Sequence, residues 1–65
     1  MKTKIKFLRF ELEISQNDLA EMAGVSRQTI SALENGKYNP SLELANKIKK
    51  ILKCEHIEDV FIFDD

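Results

Sequence analysis

A chain of 65 residues has room for one domain, residues 1–65, and buries only a modest share of its surface, so its stability alone is expected to be marginal. A single cysteine excludes a disulfide framework and a cysteine-ligated metal cluster, and makes a reduced, cytoplasmic setting the simplest expectation. The net charge of −1 argues weakly against a polyanionic partner, the opening Met1-Lys2-Thr3-Lys4 begins no signal-like apolar run, and no stretch approaches the ~20 apolar residues of a membrane span.

The first block with helical periodicity runs over about residues 4–13, with Ile5, Leu8 and Leu12 on one stripe and Arg9 beside it. Lys4 and Lys6 lie near its start and Glu11 and Glu13 near its end, the reverse of what a helix dipole favours. Screening makes that penalty small, and the charges read first as solvated surface. A second helix opens at Ser15, whose hydroxyl is placed to cap it, with Asp18 completing a capping-box-like pair. Leu19, Ala20 and Ala23 supply its apolar side, and Gly24 allows the left-handed backbone that ends it.

A third helix opens with Ser26 as N-cap, buries Ile30 and Leu33, and ends before Gly36. The fourth begins near Pro40-Ser41. Leu42, Ala45, Ile48 and Leu52 recur at helical spacing, flanked by Leu44 and Ile51, and Glu43 precedes Lys47 in the better i, i+4 orientation. Ile57-Glu58-Asp59 is long enough for one helical turn. Val60-Phe61-Ile62-Phe63 is β-branched and aromatic, too short for a helix, and reads as a strand. A lone strand is unstable, and the free segment available to pair with it is Met1–Ile5.

Charge is distributed unevenly over these elements. Residues 55–65 carry Glu55, Glu58, Asp59, Asp64 and Asp65 with no Lys or Arg. The other 54 residues hold all ten basic side chains against six acidic ones, a net of +4. The acidic end can point away from a polyanion while the rest approaches it.

Two short helices joined by a glycine-containing turn make a helix-turn-helix, here Gln16–Ala23 and Arg27–Asn35 within about residues 15–39. The second of such a pair fits the DNA major groove. The stretch SQNDLAEMAGVSRQTISALENGKYNPS resembles the core of the Cro/lambda-repressor-like (XRE) helix-turn-helix proteins, and the likeness covers about residues 5–53. Length and the Glu58-Asp59-Val60-Phe61 ending are similar to a compact subgroup of dimeric repressors that includes a cytolysin-operon repressor. The resemblance implies a mainly α fold of five short helices, the last a single turn, with a small two-stranded antiparallel sheet formed by the N- and C-terminal segments. It also implies a C-terminal dimerisation segment at about residues 55–65.

Carried over by position, the resemblance makes Gln16 a phosphate contact at the start of the first motif helix. Arg27 and Gln28 become base readers, and Ala32 a third base-facing position limited to a methyl contact. Asn35, Lys37, Tyr38 and Asn39 become the loop that touches the DNA backbone. Arg9 and Glu34 become a buried ion pair holding the first helix to the recognition helix. Side-chain chemistry agrees: Arg can grip guanine O6 and N7, and Gln adenine N6 and N7. The hydroxyls of Ser26, Thr29 and Ser31, with free helix N–H groups, suit phosphate oxygens. Glu34 follows Leu33 in an apolar context and needs a cation.

Other features read more plainly. Lys47, Lys49, Lys50 and Lys53 suit the carbonyl end of their helix. His56 has no second ligand at metal spacing, and Cys54 reads as a structural thiol, so neither metal nor cofactor is expected. Phe61 and Phe63 share one face of the expected strand and, with Ile57, are expected to form an apolar patch covered by a second subunit. With no nucleophile–base pair or phosphate loop, an enzyme is not expected. The reading is a sequence-specific regulator, a repressor binding a palindromic double-stranded DNA operator as a homodimer. The alternative is a protein-interaction adaptor or an antitoxin-like autoregulator on the same fold.

Overall fold

A computed structural model describes residues 1–62; Phe63, Asp64 and Asp65, with the expectations placed on them, lie outside the described residues. In chain order the elements are β1 (Lys2–Thr3), α1 (Ile5–Leu12), α2 (Gln16–Ala23), α3 (Arg27–Glu34), α4 (Leu42–Ile51), a 3₁₀ turn (Ile57–Asp59) and β2 (Phe61–Ile62). The described residues thus hold four α-helices rather than five, because the fifth expected helix is a three-residue 3₁₀ turn. The chain ends pair as an antiparallel two-stranded sheet, with Lys2 opposite Ile62 and Thr3 opposite Phe61.

The helices start where serines allow it. The N–H groups of Asp18, Thr29 and Leu44 donate to the hydroxyls of Ser15, Ser26 and Ser41 at 3.0, 3.1 and 3.1 Å. Asp18 returns the contact by accepting the Ser15 N–H, which completes a capping box. All four helices end alike, in paired backbone bonds around one left-handed residue: Glu13, Gly24, Gly36 and Lys53. In the first, Glu13 N–H reaches Phe10 O at 3.2 Å and Ile14 N–H reaches Arg9 O at 2.9 Å. The sequence flags glycine at two of these turns; at the other two, tertiary packing holds a residue with a Cβ in the same conformation.

Ile5, Leu19, Ala20, Ala23, Ile30, Leu33, Ala45, Ile48 and Leu52 form one core, closed at the sheet by Val60 and Phe61. Two neighbours being buried together departs from the expected alternation over residues 60–63. Val60 is not in the strand: it caps the 3₁₀ turn with φ −109° and ψ −46°, so its side chain turns inward like that of Phe61. Phe61 is therefore fully enclosed by its own chain instead of lying on an exposed patch, and Ile62 is the outward residue of β2.

Two stability predictions follow from this packing. Phe61→Ala removes a fully buried ring and is expected to destabilise by ~3–5 kcal/mol, so that urea titration shows a largely unfolded chain rather than a folded one with an altered surface. Gly24 and Gly36 both have positive φ, but a Cβ at Gly24 meets nothing, whereas one at Gly36 would overlap the Met1 carbonyl oxygen. Gly24→Ala is expected to lose ~1–2 kcal/mol and Gly36→Ala clearly more. Equal losses would mean that the N-terminal strand does not seat on the end of α3.

Candidate nucleic-acid interface

The outer face of α3 follows from which residues the core takes. Ile30 and Leu33 point inward, leaving Arg27, Gln28, Ser31, Ala32 and Asn35 on the opposite side at helical spacing. Arg27, Gln28 and Asn35 are exposed, and Ser31 and Ala32 are half-buried. These five line one open hollow together with Gln16 of α2 and Lys37 of the following loop. Seven of the residues expected at the interface thus meet on one surface.

Others lie beside it. The hydroxyls of Ser26 and Thr29 are 3.1 Å apart, and Ser26 also caps α3, so both are engaged locally. Tyr38 and Asn39 are exposed on the loop between α3 and α4. At the starts of α2 and α3, the backbone N–H groups of Gln16, Asn17, Arg27 and Gln28 fall in first turns that have no intrahelical acceptor. They form a set of donors beside the hollow, suited to an oxyanion.

Beneath this surface three helices meet on one carboxylate. Arg9 Nε of α1 donates to Glu34 Oε2 at 2.6 Å, and Gln16 Nε2 of α2 donates to Glu34 Oε1 at 3.0 Å. Arg9 also donates through Nη1 to the Ile14 carbonyl at 3.0 Å. The Arg9 and Glu34 side chains are each only 8% exposed, which places this pair in a poorly screened setting. The Phe10 ring lies 5.5 Å from the Arg9 guanidinium and covers it from outside. Thr3 of β1 reaches the same residue from the other end, donating to the Glu34 carbonyl at 3.3 Å.

The bond from Gln16 to Glu34 has no counterpart in the sequence reading. Its partners are 18 positions apart, beyond the reach of helical periodicity. It leaves one amide hydrogen and the carbonyl oxygen of Gln16 directed by Glu34, so the side chain expected to touch phosphate is held in place. Cys54 is half-buried; burial pushes its thiol pKa up, the Asp59 carboxylate adds to this and Lys4 opposes it, all of which disfavours a reactive thiolate on balance. Among the described residues no three His, Cys, Asp or Glu side chains cluster as a metal site, and no helix is long and apolar enough to cross a membrane.

The chain belongs to the helix-turn-helix family, whose model matches residues 5–58. Over its full length it is 55% identical to an uncharacterized HTH-type transcriptional regulator of Methanothermobacter thermautotrophicus, covering 94% of that protein. It is 48% identical, again over its full length, to the uncharacterized HTH-type transcriptional regulator YgzD of Bacillus subtilis, covering 97% of it. Among solved structures it resembles the restriction-modification controller protein C.AhdI of Aeromonas hydrophila, with a TM-score of 0.79 and 29% identity over 89% of this chain and 86% of that one.

The carboxylate junction yields a direct test. Arg9→Met is expected to destabilise by ~3–5 kcal/mol, because it strands the Glu34 carboxylate in a buried site. The double change Arg9→Met/Glu34→Leu should recover most of that loss. A double-mutant cycle in urea that shows no coupling would refute the interaction.

Proposed function

We propose that this protein is a sequence-specific double-stranded DNA-binding transcriptional regulator that represses by occupying a palindromic operator as a homodimer. The observation that carries the reading is the outer face of α3. It projects Arg27 and Gln28 at its start, small Ser31 and Ala32 behind them, and Asn35 at its end, flanked by Gln16 and Lys37. A helix so decorated can lie in a major groove, with Arg27 and Gln28 on base edges and Ala32 offering a methyl surface to thymine. Gln16, the free N–H groups of α2, Lys37, Tyr38 and Asn39 would face phosphates on either side. Membership of the helix-turn-helix family and the names of its relatives support regulation of transcription.

One recognition helix reads few base pairs, so selectivity calls for two, held about 34–36 Å apart by a symmetric dimer. The C-terminal segment at about residues 55–65 is the proposed site of that contact. With Phe61 in the core, the apolar groups it offers among the described residues are half-buried Ile57 and exposed Ile62. Within this reading, likeness to the compact dimeric repressors favours repression over activation.

Selection of bound sequences from a random DNA pool tests the whole reading. A symmetric consensus is the expected outcome, and failure to enrich any sequence would overturn it. On the selected site Arg27→Ala is expected to weaken binding by ~1–3 kcal/mol and to relax preference at one base pair. Lys37→Ala is expected to weaken all sequences alike and to lower the salt slope by about one. If Arg27→Ala weakens specific and random DNA equally, it is a phosphate contact and the assignment of base reading fails.

A further inference from the structure

The outer face of α1 carries two aromatic rings that are largely exposed. Ile5 and Arg9 are the buried side of the helix, and Phe7 and Phe10 project from the other, 62% and 64% exposed. They are one turn apart and form a continuous apolar strip. Phe10 has a partial task as the cover of Arg9, but Phe7 has no such contact to explain it. Exposed aromatic pairs of this kind mark contact surfaces.

The charges on the same helix say what fits. Lys6 sits in the first turn and Glu13 caps the last, with no acid in the first turn. These two charges oppose the helix dipole, and the one charge that follows it, Arg9 in the last turn, is taken up by Glu34. Lys6 stands at one end of the apolar strip and Glu13, the left-handed residue just past Leu12, at the other. Glu13 borders the same hollow as Phe10. Such a face is complementary to itself when turned end for end.

We propose that the Phe7–Phe10 face of α1 is a self-association surface that takes the same face of a second copy of this chain, antiparallel and about a two-fold axis. Phe7 then packs on Phe10 of the partner subunit, and Lys6 reaches Glu13 of the partner subunit, each contact occurring twice. The two helix dipoles run in opposite directions, so the basic end of each helix meets the acidic end of the other. A helix of eight residues is about 12 Å long. The contact is therefore well below the ~1,000 Å² expected of a stable interface and is weak on its own. It takes effect where copies are already concentrated. If the DNA-binding reading holds, that place is a duplex carrying neighbouring sites, because the hollow beside Phe10 also includes Gln16 and Arg27 of the interface. The self-association itself does not depend on that reading.

Sedimentation of the full chain across concentrations into the millimolar range tests it. The expected result is a concentration-dependent doubling of mass that Phe7→Ser abolishes while the circular dichroism and thermal melt stay unchanged. Lys6→Glu and Glu13→Lys are each expected to weaken the step about tenfold, and the double swap Lys6→Glu/Glu13→Lys to restore it. Absence of any doubling step overturns the proposal. So does a Phe7→Ser chain that shows every doubling step of the unchanged one, which would assign all of the pairing to the C-terminal segment and leave the DNA-binding reading untouched. A double swap as weak as either single variant overturns the antiparallel arrangement.

Discussion

The Glu34 carboxylate is where the architecture is joined. It sits at the end of α3, accepts Arg9 from α1 and Gln16 from α2, and its own backbone carbonyl accepts Thr3 from β1. A carboxylate taken out of water needs this many donors, because an unpaired buried charge is strongly unfavourable. The requirement works in reverse as a geometric constraint. Satisfying Glu34 requires α1 and α2 to bring Arg9 and Gln16 to the end of α3 together.

Short elements make such a junction necessary. Three of the helices have eight residues and the fourth has ten, lengths at which an isolated helix barely forms in water. A serine hydroxyl satisfies one first-turn N–H group in each of three of them, and the paired turns at all four C-terminal ends satisfy carbonyls that would otherwise be left open. Local capping stops the ends from fraying, and packing around Ile30, Leu33 and Ile48 supplies the rest. The result is a rigid pair, α2 and α3, whose starts both present free backbone donors on the same side as Gln16 and Arg27.

The terminal sheet extends this rigidity to the chain ends. β1 pairs with β2, Lys4 donates its N–H to the Val60 carbonyl at 2.8 Å, and Met1 lies against Gly36 at the end of α3. The C-terminal strand is thereby connected to the end of α3 through β1.

Much of this organisation was legible in the residues themselves. Ser15 with Asp18, Ser26, Gly24, Gly36 and Pro40-Ser41 mark helix ends through interactions spanning at most a few positions. Ile30, Leu33, Ala45 and Ile48 mark the core face by period alone. The outward-facing set Arg27, Gln28, Ala32 and Asn35 follows from the same period. What tertiary structure decided is of another kind. The left-handed turns at Glu13 and Lys53 carry no glycine to announce them, and packing overrides their local preference. Phe61 is buried rather than displayed because Val60 leaves the strand for the 3₁₀ turn, which a β-branched and aromatic run does not foretell. The tether of Gln16 to Glu34 joins positions far apart in sequence. Local patterns report hydrogen bonds and periodicity over a handful of residues; which distant side chains then share one buried carboxylate depends on how the helices stack in three dimensions.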